Sequence, residues 1–212
     1  MATLYFLGGE NIVKRDAKEI NARAFQDVGG APSVLVFQWA RASFDRQFKR
    51  RKRLFDYFRS LGANTVDFAE YSDSSEEIAE KMEKSDLVYL TGGQVTALVE
   101  RLRKKGVEKL LLSYSGVVVG RSAGAMALGR WCLVRNRYSR NIKTVRGLGL
   151  VDFSVKAHYR PSADASLTNL SMRGRVFALA QGSALIQRNG ELSWVGKAVL
   201  FENGKILPLS PY

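Results

Sequence analysis

The sequence predicts an α/β fold, a mostly parallel central sheet with helices on both faces, closed by β-hairpins toward the C-terminus. Three observations carry this. Short β-branched and aromatic runs alternate with amphipathic stretches as far as Leu128, the rhythm of a parallel sheet with helical crossovers. Three runs end in small-residue turns, at Gly8-Gly9, at Gly92-Gly93 and at Gly120-Arg121-Ser122-Ala123-Gly124. Beyond Leu128 the runs shorten, and Asn189-Gly190 and Asn203-Gly204 supply the dipeptide that two-residue hairpin turns favour.

In chain order, Thr3 to Leu7 is a strand ending at Gly8-Gly9-Glu10, followed by a helix over Asp16 to Asp27 with Asp16 as its cap. Ser33 to Gln38 is the next strand. Ala42 to Leu61 makes a long basic amphipathic helix, with Phe44, Phe48, Leu54, Phe55, Phe58 and Leu61 as apolar positions and Arg46 and Lys49 to Arg53 on the charged face. Asn64 to Phe68 is a short strand, Ser74 to Glu83 a helix, and Asp86 to Thr91 a strand that breaks at Gly92-Gly93. Helices over Val95 to Lys104 and Val107 to Ser113 lead to the strand Val117 to Val119. The later strands are Phe153 to Ala157, Phe177 to Gln181, Ala184 to Gln187, Leu192 to Val195, Ala198 to Phe201 and Ile206 to Leu209, with Gly147-Leu148-Gly149-Leu150 inside Val145 to Val151. No repeat, low-complexity stretch or linker divides the chain, so residues 1–212 read as a single domain.

The stretch Gly116 to Leu128 carries the chemistry. Val117-Val118-Val119 suits a buried strand, Ala123 and Ala125 to Leu128 suit a helix, and Ser122 stands at the corner between them. This is the G-x-S-x-G nucleophile elbow, in which small flanking residues let a strained backbone project a hydroxyl above the sheet edge. In a parallel sheet the carboxyl ends of the strands form the binding edge, so the three glycine turns should share one face with Ser122.

Composition narrows the classes. No apolar run approaches the ~20 residues of a membrane helix. The N-terminal Met-Ala-Thr-Leu-Tyr-Phe-Leu-Gly-Gly is too short and uncharged for a signal peptide, and the lone Cys132 excludes an internal disulfide; both fit the cytoplasm. Lys and Arg number 33 against 20 Asp and Glu, a formal charge of +13, which predicts attraction to acidic partners. Zinc-ligand spacing, an aromatic RNP-type strand and a helix-turn-helix are all missing, so nucleic acid is not expected as the main partner. The basic helix around Arg46 to Arg53 is the segment through which it would bind. His158 is the sole histidine, so any mechanism that needs an imidazole has one candidate.

Several motifs together resemble one family. They are Leu4-Tyr5-Phe6-Leu7-Gly8-Gly9-Glu10, Tyr89-Leu90-Thr91-Gly92-Gly93-Gln94, Gly120-Arg121-Ser122-Ala123-Gly124-Ala125, Gly147-Leu148-Gly149-Leu150, His158-Tyr159 and Ala180-Gln181-Gly182-Ser183-Ala184-Leu185. In this order they resemble the serine peptidases typified by dipeptidase E and cyanophycinase, which have a class I glutamine amidotransferase-like α/β fold. The resemblance implies Ser122 as nucleophile, His158 as general base, and the N–H groups of Gly93 and Ala123 as the oxyanion hole. It implies no cofactor and no metal.

The sequence departs from the family at the triad acid. Where the family carries a carboxylate, this chain has Arg135-Asn136-Arg137-Tyr138 and Ala180-Gln181-Gly182. Gln181 can accept an imidazole N–H without adding charge, and Asp152 and Asp164 stand nearby as substitutes, Asp164 also being placed to cap a helix from Ala165. Basic residues crowd the region: Arg121 beside the serine, Arg160 after the histidine, and Arg130, Arg135, Arg137, Arg140, Lys143 and Arg146 between. Arg121 and Arg160 are the expected holders of a substrate carboxylate. The sequence thus predicts a serine hydrolase cleaving short peptides, with an N-terminal aspartate favoured by the basic site. The alternative is a non-catalytic relative that binds an anionic ligand or partner, and a homodimer is compatible with either.

Overall fold

The computed structural model describes residues 2–41, 48–135 and 142–209. The first half of the chain is the expected alternation: β1 (Thr3–Leu7), α1 (Lys18–Gln26), β2 (Ser33–Phe37), α2 (Phe48–Ser60), β3 (Thr65–Phe68), α3 (Ser75–Glu83), β4 (Leu87–Leu90), α4 (Val95–Lys104), α5 (Val107–Ser113), β5 (Val117–Arg121) and α6 (Ala123–Leu128). The second half holds β6 (Trp131–Arg135), β7 (Ile142–Arg146), β8 (Ser154–Lys156), α7 (Asp164–Ser171), β9 (Val176–Leu179), β10 (Ala184–Arg188), β11 (Glu191–Val195), β12 (Ala198–Glu202) and β13 (Lys205–Leu209). Phe44, Arg46, Arg137, Tyr138 and Arg140 lie outside the described residues.

These strands form two sheets. The first has seven strands in the order β11-β10-β1-β5-β4-β2-β3. Its β1, β5, β4, β2 and β3 are mutually parallel, and the hairpin β10–β11 is added antiparallel along β1. The alternation of side chains along a strand divides its apolar residues between two faces. Tyr5, Leu7, Val34, Val36, Val117 and Val119 pack with Ile20, Phe25, Leu54 and Phe58 of α1 and α2. Phe6, Leu35, Phe37, Val88, Leu90 and Val118 face the other way, toward Ile78, Leu98, Leu102, Leu111 and Ala125 of α3 to α6.

The second sheet, six strands in the order β13-β12-β9-β8-β6-β7, is not visible in the local sequence pattern. Cys132, Val155, Phe177 and Leu179 from this sheet join the same apolar cluster as α4 and α6. On its far side Leu133, Val176, Ala178 and Phe201 pack with Leu167 of α7. Both Asn-Gly turns form as expected, with Asn189 and Gly190 at φ 49° and 84°, and Asn203 and Gly204 at φ 50° and 73°, values that a primed hairpin turn requires. The two hairpins join different sheets, one extending the first and the other the second.

Two local expectations are corrected. The glycine-rich stretch after Arg146 is not strand. The N–H groups of Gly147, Leu148, Gly149 and Leu150 donate instead to the carbonyls of Arg130, Ala127, Gly129 and Leu128, satisfying acceptors that the end of the short helix α6 leaves unpaired. A Cβ on Gly147 would stand 2.1 Å from the Gly129 oxygen, so the close wrap needs glycine there. Nor does Asp16 cap α1. That helix begins two residues later, its N-cap is Ala17 without a side-chain hydrogen bond, and the Asp16 carboxylate is engaged elsewhere.

Candidate active site

Ser122 lies where β5 turns into α6, with φ 53° and ψ −102°, a conformation that a non-glycine residue holds only when its surroundings enforce it. The enforcement is backbone hydrogen bonding on both sides: Ser122 N–H donates to Leu7 O at 2.9 Å, and its carbonyl accepts from Met126 N–H at 3.0 Å. The glycines at either side of the corner are required by close approach. A Cβ on Gly120 would meet the Gly124 backbone at 2.6 Å, and one on Gly124 would stand 2.3 Å from Leu90 O.

His158 follows β8 and is also in positive φ, at 52°. Its N–H donates to Gly8 O at 2.6 Å, tying the end of β8 in the second sheet to the end of β1 in the first. This brings Nε2 to 2.8 Å from Ser122 Oγ. Gln181, in the turn between β9 and β10, stands beside the ring and favours its protonated form. The two side chains meet over Gly9, where a Cβ would lie 2.3 Å from both Gln181 Oε1 and His158 Cε1. Desolvation lowers the basicity of His158 below that of an ordinary histidine; the charge of Lys156 acts in the same sense, Gln181 opposes it, and Arg121 and Arg160 add to the lowering.

Neither substitute acid is in place. Asp152 pairs with Arg175 at 3.1 Å, and Asp164, the first residue of α7, accepts from Tyr159 OH at 2.9 Å. Asp164 therefore lies inside its helix rather than capping it. The acid that does approach is Asp16, whose Oδ2 accepts from Gln181 Nε2 at 2.9 Å. No local pattern points to this pair, since the two residues are 165 positions apart.

Gly92 and Gly93 come to the same edge from β4. A Cβ on Gly92 would stand 3.2 Å from Ser122 Cβ, and one on Gly93 would run into Ala40 O at 2.3 Å. Among the described residues, no backbone hydrogen bond uses the N–H of Gly93 or of Ala123. The cleft over Ser122 has a volume of about 1020 Å³. Lys14, Arg41, Arg50, Arg53, Arg121 and Lys156 line it, against Glu10 and Asp16 as its acids. Both oxygens of Glu10 are taken, by Asn21 at 2.9 Å and Tyr89 OH at 2.7 Å. Burial, reinforced by Arg50 and Arg121, lowers the pKa of Arg41, so these three guanidinium groups share one field. Arg160 is exposed and is not among the residues lining the cleft.

Cys132 is buried at the far end of α6, its thiol pushed up to about 12 chiefly by burial. Among the described residues, no group of three or more His, Cys, Asp or Glu side chains is arranged to hold a metal.

The chain is thus a mixed α/β protein whose cleft holds a strained serine at a strand-to-helix corner with an imidazole on its hydroxyl. A sequence model of peptidase family S51 matches residues 32–195, and the chain belongs to that family. Among curated proteins it is 25% identical over 146 residues to the uncharacterized peptidase Lmo0363 of Listeria monocytogenes, covering 63% of this chain and 71% of that one. It is 28% identical over 107 residues to the uncharacterized peptidase Lin0382 of Listeria innocua, covering 47% and 51%. Two crystal structures share the fold: a peptidase from an acI-B1 actinobacterium, TM-score 0.76 at 22% identity over 100% of this chain and 95% of that one, and a candidate peptidase E from Listeria monocytogenes EGD-e, TM-score 0.71 at 22% over 92% and 98%.

Proposed function

We propose that the protein is a serine peptidase of the dipeptidase E type, with Ser122 as nucleophile and His158 as general base. The observation that carries this is the 2.8 Å contact between Ser122 Oγ and His158 Nε2 at a backbone corner held in positive φ. In the first half-reaction the hydroxyl proton passes to Nε2 as Oγ bonds to the peptide carbonyl carbon, and the carbonyl oxygen becomes an oxyanion facing the N–H groups of Gly93 and Ala123. Collapse breaks the C–N bond, Nε2 returns the proton to the leaving amine, and a serine ester remains. Water then attacks the ester with the same base. Each oxyanion donor typically contributes ~2.7–4 kcal/mol to lowering the barrier.

The lining of the cleft supports an acidic substrate. Arg41, Arg50, Arg53 and Arg121 line it without a carboxylate partner among the described residues, and guanidinium groups hold carboxylates by paired hydrogen bonds. Short peptides with an acidic residue next to the scissile bond are the substrates of choice. A panel of Asp-Leu, Glu-Leu, Leu-Leu and Arg-Leu should show hydrolysis that vanishes in Ser122→Ala and favours Asp-Leu. Turnover that survives in Ser122→Ala would exclude the mechanism. The amide at position 181 favours a second reading, a relative that binds acidic peptides without cleaving them; tight Asp-Leu binding with no turnover and no labelling by a serine-directed phosphonate would establish it.

A further inference from the structure

A glutamine against an imidazole is ambiguous in a way that a carboxylate is not, because one end of its amide accepts and the other donates. With Oε1 toward His158 Nδ1, that nitrogen carries the proton and Nε2 is free to accept from Ser122. With the amide turned over, its N–H would meet Nδ1, the ring proton would move to Nε2, and the imidazole could no longer take the hydroxyl proton. The site therefore needs a device that fixes the amide.

The hydrogen bonds around Gln181 supply one. Gln181 Nε2 donates to Asp16 Oδ2 at 2.9 Å, and an ionised carboxylate can only accept, so a turned amide would set oxygen against oxygen. Asp16 is held in its turn. Its Oδ1 accepts from Asn11 N–H at 2.8 Å. Gly182 N–H donates to Gly9 O at 3.0 Å, and a Cβ on Gly182 would stand 3.0 Å from Asp16 O, so the two loops are in backbone contact. We propose that Asp16 is the acid of this site at one remove, a positioning residue that fixes the Gln181 amide and, through it, the imidazole tautomer able to accept from Ser122. Both Asp16 and Gln181 are exposed, so water screens the carboxylate charge and orientation is the larger part of its effect. The proposal rests on the serine-peptidase reading of Ser122 and His158.

The single histidine makes the test direct, because ¹⁵N NMR reads the two ring nitrogens of His158 whether or not a peptide is cleaved. The wild-type protein is expected as the Nδ1–H tautomer. Asp16→Ala should convert a substantial share to Nε2–H and lower kcat by about the factor by which the Nδ1–H population falls, roughly a few-fold, with KM little changed. Asp16→Asn keeps an acceptor oxygen for Gln181 and should fall between, which also separates loss of the contact from loss of the fold. Exchanging the pair as Asp16→Asn with Gln181→Glu should keep the Nδ1–H tautomer and restore kcat. Gln181→Glu alone, with two carboxylates facing, should restore less. Asp16→Ala and Gln181→Ala combined should lose no more than Gln181→Ala alone. An unchanged tautomer in Asp16→Ala, or losses that multiply in the double variant, overturns the proposal. Absent hydrolysis and absent phosphonate labelling of wild-type protein overturn the serine reading instead, while the tautomer still decides what Asp16 does.

Discussion

His158 is tuned by its surroundings in a direction that has a measurable consequence. Desolvation and the Lys156 charge favour the neutral ring, against Gln181, so the base form persists to lower pH than in a free histidine. The acid limb of a kcat/KM profile should lie below the ordinary histidine value of about 6.5. Because a neighbouring carboxylate favours the imidazolium, the exchange of residues 16 and 181 should move that limb upward. A limb at or above the ordinary value in the wild-type protein would contradict this account of the site's electrostatics.

At the scale of elements, stability and legibility have the same root, which is locality. Helix α3 opens with a reciprocal cap: Ser74 Oγ accepts from Glu77 N–H at 3.1 Å, and the Glu77 carboxylate accepts from Ser74 N–H at 2.7 Å. Ser74→Ala should cost about 1 kcal/mol, readable as a lower urea midpoint with unchanged slope. Features fixed within a few residues, such as the Ser122 corner and the two Asn-Gly hairpins, can be read from sequence because the backbone itself demands those residue types. Strands β6 and β7 escape that reading. Cys132 and Leu133 are neighbours buried on opposite faces of the second sheet, so β6 shows no alternation, and β7 is largely exposed. Asp16 was misleading for a related reason: an aspartate before a helix reads as a cap, and its true partner lies at the other end of the chain.

For the whole molecule, charge is the dominant global property. A formal charge of +13 surrounds a cleft already lined by arginines, and such a field raises the local concentration of anionic substrates while salt weakens it. The KM for an acidic dipeptide should rise between low and physiological ionic strength, and the KM for Leu-Leu should stay nearly constant. Parallel salt dependences would assign the arginines to the general surface instead. Among the described residues, no helix is long and apolar enough to cross a membrane.

The placement of β1 between β5 and β10 also bears on when the site comes into being. Translation delivers the N-terminal portion first. Asp16 and then Ser122 are thus made before His158 and Gln181, and β10 closes along β1 only after that. A growing chain carries Ser122 before His158, and His158 before Gln181. The order of the strands thus leaves the contact between Ser122 and His158 unmade until the strands after α6 have been added.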